Sequence, residues 1–558
     1  MCGIFALLNA PKKMPAAQIQ DAFRQGAKRG PEHSSLTNPY PETTFGFHRL
    51  AINGLNAAAN QPLEVDNVQL ICNGEIYNYR ELYDMLDGGV KPQTESDCEV
   101  ILHLYLQFGL EYTLQLLDGV FAFVLIDRRS MSAKLYAARD PFGVRPLYWL
   151  HGGGGGGSDA APFWALASEL KVLTTFHSAA TSCVAHFPPG HYASWTYPEQ
   201  ALSKWTLDAP RPTRYHTLGF VRNRFQVLEW EDAMSDVYDE ISRRFRDAVF
   251  KRCCTTERPI ACLLSGGLDS SLVTALVTEF HRLHGLPPPE TYSIGIAGST
   301  DLVYARQVAE YLGTKHTEIE LLEQDFIDAV PHVIRDIESY DTTTVRASLG
   351  NWLVGKYIAE HSEAKVIFNG DGSDELLGGY LYMALAPSAL EFDCECRRLL
   401  SDIYAFDVLR SDKCISSHGL EPRTPFLDRG WVAYILSLSP EVRFQPQSME
   451  KWLLRQSFAG VLPDDVLWRR KEAFSDGVSG TTRSLFQILQ DHAATLPTAD
   501  ALVTPGGGGG GLLPTTAEQR WYRALFDSFY PDAAEVVPYF WMPKYVDAVD
   551  ASARTWIV

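Results

Sequence analysis

This sequence predicts an α/β protein in two parts: antiparallel sheets with helices packed outside them, then a doubly wound parallel sheet with additional helices. Three observations carry that expectation. Over the first 200 residues, short apolar runs alternate with turn residues and only two helical stretches intervene. From about residue 259 onward, strand-like runs alternate with helical segments, the pattern of a parallel sheet. The length of 558 residues exceeds what one core serves and favours two large domains.

The first part reads as strands at Thr44–Ile52, Gln69–Cys72, Val120–Asp127, Lys134–Ala138, Pro146–Leu150 and Phe163–Ala167. Helices are expected at about Ala16–Lys28 and Asp97–Phe108, where Val100, Ile101, Leu104 and Leu106 supply an apolar face. Pro210, Pro212 and the polar stretch Arg222–Arg224 mark a linker. The divisions expected are 2–207, a linker at 208–232, and 233–558. An amphipathic helix at about Met234–Arg252 opens the second part. Strands follow at Pro259–Leu264, Thr291–Ile296, Thr317–Leu321 and Lys365–Phe368, with helices at Ser271–His281 and Leu302–Leu312. The last 180 residues or so read as largely helical.

Composition narrows the function classes. Apolar residues make up 46% and charged residues 21%, so the chain can bury proper cores. Lysine and arginine total 49 against 68 aspartates and glutamates, a net charge of -19. That balance argues against a nucleic-acid partner, which needs clustered basic residues. No apolar run is long enough for a membrane span, and the apolar start lacks a basic n-region, so no membrane partner is expected. Ten sparse cysteines fit a reducing, cytoplasmic location. Twelve of the 42 glycines lie in two runs, Gly152–Gly157 and Gly506–Gly511, which read as flexible loop insertions.

Two constellations carry chemistry. Cys2 follows the first methionine, whose removal is expected beside so small a residue. The exposed residue would then hold a thiol and an α-amino group of pKa near 8, nucleophile and base together, the arrangement named for N-terminal nucleophiles. In the second part, strand Pro259–Leu264 runs into Ser265-Gly266-Gly267-Leu268-Asp269-Ser270-Ser271 and then a helix. A glycine turn feeding a helix N-terminus offers backbone N–H groups and the positive end of the helix dipole to an anion. It lacks the Gly-Lys-Ser/Thr ending of a Walker loop. A second glycine loop, Asn369-Gly370-Asp371-Gly372-Ser373-Asp374-Glu375, follows the strand near Val366.

The first constellation sits in a longer series: Cys2-Gly3-Ile4-Phe5, Arg29-Gly30-Pro31, His48-Arg49-Leu50-Ala51-Ile52, Asn73-Gly74-Glu75-Ile76-Tyr77-Asn78, Ser96-Asp97, Asp118-Gly119-Val120-Phe121-Ala122 and Arg139-Asp140-Pro141-Phe142-Gly143. In this order they resemble class II glutamine amidotransferases. Ser265–Ser271 resembles the pyrophosphate loop of the ATP pyrophosphatases. Gly372-Ser373-Asp374-Glu375, Glu421–Asp428 and Trp468–Gly477 resemble segments of the asparagine synthetases. The whole chain thus resembles the glutamine-hydrolysing asparagine synthetases. That resemblance implies an N-terminal α-β-β-α sandwich of the N-terminal nucleophile type and a synthetase domain. It also implies a homodimer and an internal passage for ammonia.

Roles follow from the resemblance. Cys2 would attack glutamine, with the Asn73 side chain and Gly74 N–H as oxyanion donors. Arg49 would pair with the substrate carboxylate, and Glu75 and Asp97 with its ammonium. ATP would be framed by Leu264, Ser265, Gly266, Gly267, Asp269, Ser270, Ser271, Ser293, Ile294, Gly295, Asn369 and Gly370. Asp269 and Asp374 would share Mg2+. Thr343, Arg346, Asp371, Lys413 and Lys471 would meet aspartate or pyrophosphate, with Lys471 and Asp371 catalytic. The family commonly reads Ser-Gly-Glu where this chain has Asn369-Gly370-Asp371, which shortens that carboxylate's reach by about 1.5 Å. Alternatives stay open: a phosphoribosylpyrophosphate amidotransferase, a β-lactam synthetase, a related amidotransferase acting on another small carboxylate, or a scaffold with a decayed site.

Overall fold

A computed structural model describes residues 1–11, 13–153, 162–178, 180–199, 203–219, 230–472, 477–479, 483–496 and 510–552. Among the described residues, thirteen strands build two antiparallel sheets in the first part. They are β1 (Gly3–Leu8), β2 (His33–Tyr40), β3 (Thr43–Arg49), β4 (Leu63–Val65), β5 (Val68–Ile76), β6 (Gly119–Asp127), β7 (Ala133–Arg139), β8 (Tyr148–Gly152), β9 (Phe163–Ala167), β10 (Ser182–His186), β11 (His191–Tyr197), β12 (Thr206–Leu207) and β13 (Thr213–Arg214). One sheet runs β10-β8-β9-β1-β3-β2 and the other β12-β11-β7-β6-β5-β4, with β13 also on β11.

The two sheets face each other. Ile4, Ala6 and Leu8 of β1 and Phe45 and Phe47 of β3 pack against Ile71 of β5 and Ala122, Val124 and Ile126 of β6. These alternate along each strand because successive side chains point to opposite faces. Outside the second sheet, helix α2 (Val100–Phe108) covers Leu70, Cys72, Phe123 and Leu125. Outside the first, Phe23 of α1 (Ala16–Arg24) packs in one cluster with Phe5, Leu7 and Leu150. That cluster continues into Val330, Val333 and Ile334 of the second part, so the outer helical layer is shared.

β13 falls inside the stretch expected to be linker, yet it hydrogen-bonds onto the edge of β11. The first sheet system therefore takes in residues beyond 207. Residues 220–229 of that stretch lie outside the described residues, and its last residues, from Trp230, already belong to a helix.

The second part begins with α3 (Trp230–Cys254). Its parallel sheet holds β14 (Ile260–Leu263), β15 (Glu290–Ile296), β16 (Lys315–Leu321), β17 (Val366–Phe368) and β18 (Glu421–Arg423), in the order β16-β15-β14-β17-β18. The chain leaves β14 first to one side and later to the other. Such a switch point opens a crevice at the carboxyl ends of the central strands. The loops after β14, β15 and β17 converge there, and so do α4 (Leu268–Leu283), α5 (Thr300–Leu312) and α6 (Thr342–His361). No helix among the described residues is long and apolar enough to cross a membrane.

Only the ends of the glycine runs are described. Gly152 closes β8, where a side chain would strike the Phe163 ring, and Gly511 packs against Tyr340 and Ala534. These glycines serve packing, which the reading as loop insertions did not foresee. Residues 154–157 and 506–509 lie outside the described residues.

Candidate active site

Strand pairing assembles the first site. Gly3 lies opposite His48 in the β1–β3 register, which sets Cys2 beside Arg49. The Cys2 thiol contacts the Leu50 carbonyl at 3.6 Å, and Arg29 Nε donates to the Cys2 carbonyl at 2.9 Å. Burial pushes the thiol pKa up, partly offset by the neighbouring α-amine and by Arg49. Burial also lowers the α-amine of Met1 to about 6, so that amine is largely neutral at pH 7. A neutral amine is the form that accepts a proton.

Asn73 and Gly74 sit in β5 opposite Ala122 and Phe121 of β6. The Asn73 side chain is fully buried, and neither its Oδ1 nor its Nδ2 has a partner among the described residues. A buried amide with open hydrogen-bonding capacity costs free energy unless a ligand satisfies it. At Gly74 a Cβ would lie 2.5 Å from the Val120 carbonyl, so only glycine lets the strands approach.

Asn53 ties the two acids together, donating to Glu75 Oε2 at 2.7 Å and to Asp97 Oδ1 at 3.4 Å. Asp97 Oδ2 accepts from the Ile76 N–H at 2.7 Å. Burial raises Asp97 to about 6, against the pull of that N–H. Burial and Asp97 also hold Glu75 well above the usual carboxylate range. Arg49 donates to Asn56 O at 2.9 Å, to Asn60 Oδ1 at 2.7 Å and to Gly54 O. It makes no ion pair with a carboxylate among the described residues, so its charge is available to an anion.

The second site is a cavity of about 590 Å3 at the switch point. Leu264, Ser265, Gly267, Asp269, Ser270, Ser293, Ile294, Asn369, Gly370, Thr343, Arg346, Asp371, Asp374 and Lys471 all line it. Gly266, Ser271 and Gly295 do not reach its wall and act behind it. Gly266 has φ +71°, and a Cβ there would come within 2.5 Å of the Ala305 backbone nitrogen. Ser271 is fully buried, its hydroxyl without a partner among the described residues. A Cβ on Gly295 would meet Ser299 Oγ at 2.4 Å.

The acids Asp269 and Asp374 come together through two lysines. Lys451 Nζ meets Asp269 Oδ2 and Asp374 Oδ1, each at 2.5 Å. Lys471 Nζ meets Asp374 Oδ2 at 2.6 Å and Asp269 Oδ2 at 3.9 Å. Burial alone would lower the Lys471 pKa, but the two aspartates outweigh it and hold it above the usual lysine range. Asp374 is correspondingly held below the usual carboxylate range by Lys451 and Lys471, against its burial. Among the described residues no group of three His, Cys, Asp or Glu side chains converges as a metal cage. Two hard carboxylates over a phosphate-binding loop nonetheless fit Mg2+, which keeps several waters and takes its other oxygens from phosphates.

Lys451 was not singled out in the sequence. Only the structure marks it: it holds φ 58°, a left-handed conformation uncommon for lysine, and its side chain is buried.

Two sequence expectations meet a different structure. Lys413 is not in the cavity. It is fully buried, paired with Glu338, 3.7 Å from Glu169 and 4.9 Å from the Tyr148 ring centre. A phosphate has no access to it. Arg346 lines the cavity, but its guanidinium is held by Glu518 at 2.6 and 2.9 Å and by Asp550 at 2.8 and 2.9 Å. Those two acids already neutralise the charge expected to receive a substrate carboxylate.

Between the sites lies a buried charged seam. Arg29 Nη1 donates to Glu169 at 2.8 Å and Asp412 at 2.7 Å. Arg145 lies 3.5 Å from Asp412 and 3.7 Å from Glu421. Arg423 joins Glu421 at 2.9 Å to Glu75 at 3.4 Å.

Comparison with known proteins decides the family. Residues 1–203 match the glutamine amidotransferase domain, and residues 240–392 and 384–556 match asparagine synthase. The asparagine synthetase [glutamine-hydrolyzing] of Cricetulus griseus is 39% identical over 573 residues, covering 100% of this chain and 98% of its own. Those of Gallus gallus and Homo sapiens are 40% and 39% identical with the same coverage. The chain belongs to the glutamine-hydrolysing asparagine synthetases. Membership in this family accounts for an amidotransferase sandwich and a nucleotide-binding parallel sheet in one chain. It argues against a phosphoribosyltransferase second domain, since the parallel sheet carries the asparagine synthase match.

Proposed function

We propose that this chain makes L-asparagine from L-aspartate, using ammonia released from L-glutamine and the energy of ATP. The observation that carries the reading is the pairing of sites in one chain. The Cys2 site, with its open Asn73 amide, lies on one side of the charged seam. The phosphate-loop cavity with Lys451 and Lys471 lies on the other.

In the first site, Arg49 receives the glutamine carboxylate, and Glu75 and Asp97 its ammonium. The Cys2 thiol loses its proton to the neutral α-amine and attacks the side-chain amide. Asn73 Nδ2 and the Gly74 N–H receive the oxyanion, ammonia leaves, and water frees glutamate from the cysteinyl thioester. In the second site, ATP lies along Ser265–Ser271. The β-carboxylate of aspartate attacks the α-phosphate, giving β-aspartyl-AMP and pyrophosphate. Lys471 and Lys451 neutralise the phosphate charge. Asp269 and Asp374 would hold Mg2+, which when bound would supply positive charge to the phosphates. Ammonia displaces AMP from the acyl carbon, and Asp371 faces that step.

An assay with MgATP, glutamine and aspartate tests the reading. Asparagine, glutamate, AMP and pyrophosphate should form in equal amounts. Pyrophosphate appearing with another small carboxylate and not with aspartate would favour the related amidotransferase, a reading to which the occupied Arg346 gives weight. A homodimer and a cytoplasmic location belong to this proposal, the former open to light scattering.

A further inference from the structure

Asp371 stands where the family commonly has glutamate, and a shorter carboxylate needs help to reach the cavity. Its neighbours supply that help. The Asn369 side chain accepts the Asp371 N–H on Oδ1 at 3.3 Å and donates from Nδ2 to Ser411 Oγ at 2.7 Å. Ser411 lies on α7 (Asp407–Ser416) and is 1% exposed, so it anchors the Asn369 side chain from behind the loop. Arg410, the preceding residue, lies 3.5 Å from Asp371 Oδ1 and is itself paired with Asp407.

The loop cannot slide. The Asn369 N–H donates to the Arg423 carbonyl at 3.1 Å. A Cβ on Gly370 would lie 2.8 Å from Asp269 Cβ, so the two glycine loops are in contact there. One carboxylate oxygen is left over: Asp371 Oδ2 is buried with no partner among the described residues, on a residue that lines the cavity.

We propose that Asn369 and Ser411 are positioning residues that hold the short Asp371 carboxylate in the cavity, with Oδ2 turned to the attacking ammonia. The three side chains work as one unit in place of a longer glutamate. This rests on the synthesis proposed above. In the step concerned, the ammonia lone pair forms a bond to the acyl carbon. The bond from that carbon to the phosphate-bridging oxygen breaks, and its electron pair leaves with AMP. One N–H proton passes to Asp371 Oδ2.

The test uses the full chain with saturating ammonium, aspartate and MgATP, and measures asparagine formed per pyrophosphate released. Ser411→Ala should lower kcat for asparagine about tenfold to a hundredfold, the cost of misplacing a reacting group by about 1 Å. The KM values for ATP and aspartate should stay within about twofold, since Ser411 does not line the cavity. Asp371→Glu alone should also lower the ratio, because the longer side chain meets Arg410. Asn369→Ser/Ser411→Ala/Asp371→Glu should restore it above either single variant. Should Ser411→Ala fail to fold, Asn369→Ser/Asp371→Glu is compared with Asp371→Glu and should exceed it. An unchanged ratio in Ser411→Ala, or an Asp371→Glu effect identical in both backgrounds, overturns the positioning role alone. If the unsubstituted chain releases no pyrophosphate with aspartate, both proposals fall.

Discussion

Arg423 Nη2 lies 3.4 Å from Glu75 Oε2, while the carbonyl of the same arginine accepts the Asn369 N–H at 3.1 Å. One residue of β18 thus touches the acid expected to bind the glutamine ammonium and the loop that carries Asp371. The guanidinium is fully buried and also binds Glu421 and the Thr255 carbonyl. Removing one member of a buried pair leaves its partner charge uncompensated. Arg423→Met should therefore destabilise the fold by about 3–5 kcal/mol. Denaturant unfolding of the two chains would measure it, and an unchanged midpoint would show that the seam is not a stabilising contact.

Asn73 offers the opposite case. Its amide has no partner among the described residues, so truncating it orphans nothing. Asn73→Ala should leave the melting temperature within a few degrees. Loss of one oxyanion donor should lower kcat for glutamine hydrolysis about 10²–10³-fold. A kcat equal to that of the unsubstituted chain would remove Asn73 from the oxyanion site.

The glutamine half should show an acid limb. Burial raises Asp97 to about 6, so below that pH it is increasingly neutral and no longer attracts an ammonium. The value of kcat/KM for glutamine should fall about tenfold for each pH unit below 6. Above it the profile should level until another group titrates. A limb of the same position in Asp97→Asn would assign the titration elsewhere.

The two chemistries should separate by substitution. Cys2→Ala should abolish glutamine use and keep ammonia-dependent synthesis. Lys471→Ala and Lys451→Ala should do the reverse, because both ammoniums sit on Asp269 and Asp374 and not near β1. Removing such a fixed charge should cost about 10²–10³ in synthesis rate. Loss of both activities in Cys2→Ala would contradict the two-site arrangement.

Much of this architecture was legible because it is local. Alternating apolar runs located most strands, and the turn glycines with the following helical period located the phosphate loop. β18 was missed because Pro422 sits in its middle, and proline argues against a strand. It is tolerated here because β18 is the edge of the sheet and, among the described residues, pairs only with β17. Arg346 and Lys413 were placed by neighbouring motif residues. Their partners Glu518, Asp550, Glu338 and Glu169 lie far away in sequence, where no period or spacing points. Lys451 failed for the same reason: nothing near it signals the two aspartates it joins. The assignments on the glutamine half and the loops needed only short motifs; the ion pairs needed the fold.

The lysine–aspartate quartet has a consequence for how nucleotide is gained. Two ammoniums and two carboxylates already cancel in the free protein. On the proposed reading, arrival of a magnesium-bound triphosphate would be an exchange of partners: the lysines would turn from carboxylate to phosphate, and Asp269 and Asp374 would be freed to hold the metal. Few ions need be shed to bulk solvent. Affinity for MgATP should therefore change little between about 0.05 and 0.2 M salt, whereas free ATP, which leaves the aspartates bare, should bind weakly at any ionic strength.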